Sequence, residues 1–527
     1  MYDPAQPYPS ARSPIVGRDL VATSQPLAAQ AGLRALQDGG NAIDAAIATA
    51  ITLTVVEPNN NGLGSDAFAL VWDGERLHGL NASGRSPAGW TPERFAGRTS
   101  MPPLGWDTVT VPGAVSAWQA LSDRFGALPF ARLFEDAIRY ARDGYHVGPK
   151  TAFYWRHAQR QFADYPDWQA HFCPDGRAPQ AGERFVPAHM AETLETIADE
   201  GAESFYRGAI AARIAEASAG AGGAMTLEDL AAHEATWVEP LGTDFADATL
   251  HEIPPNGQGL GALIALGILE RLRDRLGTPD SPDAVHHQIE ACRIGIRDAF
   301  AHIADIEAMQ ISPTALLDPA RLDVLARGID AERADPTPLR GGASPDTVFL
   351  TAADAQGRAV SLIQSNYLGF GSGIVVPGTG IALQNRGAGF VLESGHPNCV
   401  APRKRPFHTI IPGFATRDGQ PFMSFGVMGG HMQHQGHVQM MLRTVLWGQN
   451  PQAAIDAPRW HVREDGRIAI EAGFDSAVAD GLRARGHIVE IEPQEHVFGG
   501  AQIAMRLADG AWCGGSDPRK EGGVAAR

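Results

Sequence analysis

Residues 341–390 read GGASPDTVFLTAADAQGRAVSLIQSNYLGFGSGIVVPGTGIALQNRGAGF, and the character of the chain changes inside them at Asp346-Thr347. A loose Gly/Pro/Ser lead-in, GGASPD, gives way to the β-favouring run TVFLTA; an Asp/Gln/Gly turn follows, then a second such run, AVSLIQS. Thr347 therefore opens the first strand of a predicted hairpin, where a threonine would sit if it were to become a new chain terminus. Threonine is common at strand starts, so the remainder of the chain has to supply the meaning of this one.

The 527 residues, 44% hydrophobic and 20% charged, fit a soluble α/β protein built as one large body or as two to four domains. A formal charge of −17 argues against nucleic acid or an anionic membrane as partner, because a phosphate-binding face must be basic. Cys173, Cys292, Cys399 and Cys513 are scattered without a CxxC pair, which predicts reduced structural thiols. The N-terminal residues carry no apolar run of signal-peptide length and no stretch of 18 apolar residues occurs, so the expected location is cytoplasmic.

Upstream of the hairpin, residues 24–40 have helical spacing closed by Gly39-Gly40, and Asn41 caps a second helix that Pro58 stops. A hairpin with its turn at Asp73-Gly74 leads to a small-residue loop holding Arg85. From residue 109 to about 330 the pattern is mainly helical, with helices expected near 113–125, 131–142, 187–200, 203–217, 258–275 and 282–304. The Pro/Gly-rich stretch ending at Asp346 reads as a linker. Beyond the hairpin come two more strands, a helix from about His431 to Trp447, and a last hairpin followed by a polar tail.

Several tempting motifs fail on chemistry. GFGSGIVVPGTG lacks the following helix and acidic residue of a dinucleotide site, and neither a Walker A loop nor a GxSxG elbow occurs. His431, His434 and His437 would fan across a helix instead of converging, with no HExxH or acidic ligand beside them, so no metal or other cofactor is expected. Gly429-Gly430 joins a strand to a helix. Side-chain-free backbone there can approach a ligand, and the helix N-terminus favours an anion or oxyanion.

Together GGNAIDAA, EPNNNGLGSDAFAL, the Arg85 loop, VPGAVSAW, PPNGQGLGALIAL, DTVFLTAADAQGRAVSLIQSN, FGSGI, KRPFHTIIP, VMGG and GGSDPR resemble, in order, the landmarks of the γ-glutamyltransferase family. The resemblance implies the four-layer αββα sandwich of N-terminal-nucleophile hydrolases, made as a proenzyme. It implies cleavage between Asp346 and Thr347 into a large subunit, 1–346, and a small one, 347–527, that stay associated. Thr347 then falls on the nucleophile, Ser365 on the hydroxyl that orients it, and Gly429 and Gly430 on the oxyanion hole. A freed α-amine, with a pKa near 8, is able to deprotonate its own Oγ, as a peptide nitrogen cannot. Two processed heterodimers could pair further.

Substrate recognition is where the sequence departs from the family. The arginine that holds the donor's α-carboxylate falls on Arg85, and the serine pair beside it is replaced by His408-Thr409, which can still donate to a carboxylate. The ammonium side is dismantled: the acidic position is Gly389, the usual Gln or Glu is Arg386, and an Asn has become Tyr367. A buried ammonium facing a guanidinium instead of an anion is unfavourable by several kcal/mol. The expectation is an amidohydrolase for a small acyl amide that carries a carboxylate and no ammonium. SNYLGFGSGIVVPGTGIALQNRGAGF and RPFHTIIPGF resemble the branch that includes oxamate amidohydrolase, which makes oxamate the best single guess. The alternatives are a γ-glutamyltransferase or glutathione hydrolase, a glutaryl-type acylase, and an uncleaved binding homologue.

Overall fold

The strand that carries Thr347, Asp346–Ala353, turns at Asp354–Arg358 and pairs antiparallel with Ala359–Tyr367. A computed structural model describes residues 12–527 apart from 336, 338 and 340–345, and of Asp346 the backbone alone. Most of the linker expected before Thr347 thus lies outside the described residues, as does the extreme N-terminus on which the location was argued.

The hairpin is the centre of a seven-stranded antiparallel sheet. Its order is Gly523–Ala526, Leu20–Thr23, Asp346–Ala353, Ala359–Tyr367, Asp66–Trp72, Leu77–Asn81 and Thr236–Val238. A second antiparallel sheet of seven runs Ile15–Gly17, Trp512–Ser516, Gly500–Arg506, Gln420–Met428, Gly413–Arg417, Ala248–Glu252 and Leu241–Phe245. Each sheet draws strands from both sides of residue 346, so the two halves of the chain share one body.

Strand periodicity sorts the side chains into layers. Val348, Leu350 and Ala352 join the core formed with the helices Pro26–Gln37 and Ala42–Val56 on one outer face, whereas Phe349 and Ala353 point between the sheets with Phe68, Ile363, Phe414 and Trp512. The helices Gly259–Arg271, Pro282–His302 and Met432–Met441 cover the other outer face. The result is the αββα sandwich, with a core between the sheets and one under each helical layer. Thr347, of the same parity as Phe349, belongs to the middle layer.

Local chemistry explains the best-read helices. Asn41 caps Ala42–Val56 in a complete capping box with Asp44, and Pro282 stands in the first turn of Pro282–His302 behind the Ser281 cap. Three expectations need correction. Residues 236–252, read within a mainly helical stretch, form three strands; Leu241–Phe245 and Ala248–Glu252 alternate inward and outward residues in an edge hairpin. The polar tail closes the other sheet, with Gly523–Ala526 pairing to Leu20–Thr23 through backbone bonds that no side-chain pattern announces. The helix expected to run to Trp447 ends at Met441 and continues as a π turn, Leu442–Leu446. The four cysteines are free.

Gly426 sets how closely the sheets approach under the strand that carries Thr347, since a Cβ there would lie 2.5 Å from the Phe349 ring. Gly426→Val is expected to lower stability by about 1–3 kcal/mol through overpacking, measured as a fall in the chemical-denaturation midpoint. An unchanged midpoint would show that Phe349 can move aside.

Candidate active site

A bulge in the central hairpin builds the reactive corner. The register steps from Asp346↔Tyr367 to Val348↔Gln364, so Ser365 and Asn366 together oppose Thr347. The extra residue brings Thr347 Oγ1 within 3.3 Å of Ser365 Oγ, and Ser365 Oγ also accepts from the Tyr367 N–H at 2.8 Å. A third group joins them: Gln433 Nε2, from the helix Met432–Met441, lies 3.4 Å from Thr347 Oγ1 while its Oε1 accepts from the Ile411 N–H. Thr347 and Ser365 are fully buried.

Gly429 and Gly430 follow the strand Gln420–Met428 with φ of 114° and 60°. Both values suit glycine, and a Cβ on Gly429 would meet Gly499 Cα at 2.8 Å. Their carbonyls accept from the Met432 and Gln433 N–H groups. The turn thus starts the helix Met432–Met441 and engages that helix's first two N–H groups with its own carbonyls.

A cluster of charge lies beside this corner. Tyr367, held at φ 77°, places its ring 4.2 Å from the guanidinium carbon of Arg386. Arg386 is fully buried, and its Nη1 donates to Thr409 Oγ1 at 2.8 Å. Among the described residues its Nε and Nη2 have no partner. Burial pulls this guanidinium down to about 10. Asp66, buried on the neighbouring strand, is pushed up to about 7 by desolvation against the opposing pull of Arg386.

His408 Nε2 donates to Asp66 Oδ2 at 3.1 Å, and its Nδ1 faces the Ile410 N–H. Burial and the nearby Arg386 and Arg405 cations hold His408 well below its ordinary value, so it is neutral. Of the pair expected to face a carboxylate, His408 is therefore turned to Asp66, and Thr409 is the one placed beside Arg386.

Arg85 sits elsewhere. Its Nη1 pairs with Asp305 at 2.6 Å and donates to the Arg403 carbonyl. It lines a cleft of about 410 Å³ with Arg403, Arg405 and His233, whose walls share no residue with the Thr347 corner. Gly389, the position expected to be acidic in a γ-glutamyl enzyme, packs so closely that a Cβ would lie 2.7 Å from the Phe407 carbonyl oxygen. The missing acid is thus a matter of space as well as of sequence.

The three histidines of the helix Met432–Met441 and its cap go to separate partners: His437 to Glu252, His434 to Gln258, and His431 toward Glu464 at 3.7 Å. Among the described residues, one group elsewhere brings possible cation ligands together, His286, Glu290 and His487. There His286 Nδ1 and His487 Nε2 share a hydrogen bond at 2.8 Å, and the Arg293 guanidinium lies 3.9 Å from Glu290. Both features fit a structural network. Reading the sequence alone assigns Asp66, Gln258 and Gln433 no role: the first two lie inside the landmark stretches EPNNNGLGSDAFAL and PPNGQGLGALIAL, but what they bond to is set only when the strands and helices pack.

Folding raises the Asp66 carboxyl from 3.8 to about 7, so its contribution favours the folded state below pH 4 and is lost as pH rises through 7. Glu57, also raised to about 7, behaves alike. The difference between wild type and Asp66→Asn isolates Asp66. The variant's unfolding midpoint should fall less steeply between pH 4 and 7, and parallel curves would show that Asp66 takes up no proton on folding.

The Gamma-glutamyltranspeptidase family model matches residues 28–527. The chain is 38% identical to the oxamate amidohydrolase proenzyme of Klebsiella pneumoniae, over 95% of this chain and 96% of that one. It is 35% identical to the glutathione hydrolase-like YwrD proenzyme of Bacillus subtilis, over 97% and 99%. The crystal structure of cephalosporin acylase from Bacillus halodurans superposes with a TM-score of 0.95 at 46% identity, covering 100% of this chain and 99% of that one.

Proposed function

Because this chain belongs to the gamma-glutamyltranspeptidase family, we propose that it is an amidohydrolase made as a precursor, cut between Asp346 and Thr347, and directed at a small acyl amide that carries a carboxylate. In the precursor Thr347 Oγ attacks the Asp346 carbonyl carbon, and the acyl group shifts from nitrogen to oxygen. Water then hydrolyses the ester, freeing the Thr347 amine. That amine, with a pKa near 8, takes the Oγ proton as Oγ adds to the substrate amide. The Gly429 and Gly430 N–H groups receive the oxyanion, the amine's proton leaves with ammonia, and water releases the carboxylic acid from the acyl-enzyme.

The observation that carries the substrate class is Arg386, a buried cation with two unpaired nitrogens beside Thr409. A substrate carboxylate would supply the missing acceptors. Nothing anionic stands at Gly389 to hold an ammonium, which disfavours γ-glutamyl donors and glutathione. Arg386 takes the anchoring role that family resemblance gives to Arg85, which is engaged with Asp305. Oxamate, a small acyl amide with a carboxylate, is the best single substrate, and a cytoplasmic enzyme with no cofactor fits it. A second reading, a glutaryl-type acylase, has the same charge pattern and is favoured by the 46% identity to a structure described as a cephalosporin acylase.

Intact mass should give two fragments dividing at Thr347, and Thr347→Ala should remain one chain without amidase activity. A wild type that stays whole and active would overturn the mechanism. In a panel of oxamate, glutaryl amides and γ-glutamyl anilide, the carboxylate amides should react and the γ-glutamyl compound should not. Arg386→Met should lower kcat/KM on the best substrate by about 10- to 150-fold, the worth of a hydrogen bond to a charged group. Strong γ-glutamyl turnover with silent oxamate and glutaryl amides would reverse the assignment.

A further inference from the structure

We propose that Gln258 is a positioning residue: a single buried side-chain amide fixes the oxyanion turn relative to the His408-Thr409 segment that touches the carboxylate anchor Arg386. The inference rests on the reaction proposed above.

Gln258 immediately precedes the helix Gly259–Arg271 and is 1% exposed. Its backbone N–H donates to the His408 carbonyl at 2.9 Å. Its Nε2 donates to the Gly430 carbonyl at 2.8 Å and to the Thr409 carbonyl at 2.5 Å. The two amide hydrogens are thus divided between the residue whose N–H is assigned to the oxyanion and the residue that touches Arg386. On its other side Gln258 Oε1 can only accept, so His434 presents Nδ1–H to it at 3.1 Å. That tautomer fits a buried His434 held neutral well below its ordinary value. With both hydrogens and the oxygen engaged, the amide cannot flip or swing.

The consequence follows from where the two carbonyls sit. Releasing the Gly430 carbonyl lets ψ of Gly430 change and its Cα shift, which re-aims the N–H on the preceding peptide away from the developing oxyanion, and preorganised donors of this kind are worth about 10²–10³ in rate. An oxygen in place of the amide nitrogen would repel both carbonyls. The same hydrogen bonds could serve folding alone, so the test needs a comparison residue. Gln435, buried on the helix of Gln433, has a similar pattern, donating to the His431 and Val462 carbonyls and accepting from the Val462 N–H.

The experiment compares Gln258→Glu, Gln258→Met and Gln435→Met with wild type as processed heterodimers, on whichever amide of the oxamate and glutaryl panel wild type turns over best. Both Gln258 variants should lose at least 10-fold in kcat at pH 8 with KM within about threefold, and Gln435→Met should keep kcat within threefold. The Gln258→Glu to wild-type ratio of kcat should rise as pH falls, because the protonated carboxyl regains one donor. Three results would each overturn the proposal: kcat retained in both Gln258 variants, a loss equalled by Gln435→Met, or failure of both Gln258 variants to fold and be cleaved. A wild type that turns over no amide of the panel defeats the proposed function instead, which separates the two failures.

Discussion

Two hydroxyls on adjacent strands, Thr347 Oγ1 and Ser365 Oγ, lie 3.3 Å apart because the Ser365 strand carries one more residue than the strand it faces. Regular pairing would place a single residue opposite Thr347. The bulge instead sets the Ser365 hydroxyl beside that of Thr347 while Tyr367, two residues on, turns to a positive φ and lays its ring against Arg386. One irregularity in a hairpin thus sets both the reactive corner and one wall of the charged cluster beside it.

The surroundings hold that irregularity in place. Phe349 fills the space between the sheets opposite Gly426, and Thr351 Oγ1 reaches Ser424 Oγ across the same layer at 2.7 Å. The strand carrying Thr347 is therefore clamped on its inner face by the very strand that leads to Gly429-Gly430. Gln433, on the helix Met432–Met441 that follows that turn, reaches back to Thr347. Thr347 and the strand leading to Gly429-Gly430 belong to different sheets that meet in a shared middle layer.

Charge in the site is arranged unevenly. Arg386, Asp66 and His408 are all buried, yet only the last two are hydrogen-bonded to one another. Desolvation raises Asp66 and depresses Arg386 and His408, so each of the three is driven toward its neutral form. A guanidinium keeps its charge even so. An unpaired buried cation is unfavourable to folding by itself, and such groups persist where a ligand supplies the counter-charge.

The hairpin at Asp346-Thr347, the Asn41 cap, the glycine turn at 429–430 and the family resemblance were all legible from residue order, because each depends on local backbone preference or on a contiguous motif. The glycine at 389, where the family resemblance leads one to expect an acid, was legible too. Which residues hold the site together was not. Asp66, Gln258 and Gln433 lie far from Thr347 in the chain, and only strand pairing and helix packing bring Gln433 to Thr347, Asp66 to His408 and Gln258 to Gly430. Arg85 stands beside Asp305 and His408 turns to Asp66 for the same reason: in a buried site each polar group bonds to the nearest complementary atom in three dimensions, and neighbours of that kind are decided by the packing of the sheets and helices, beyond the reach of local sequence.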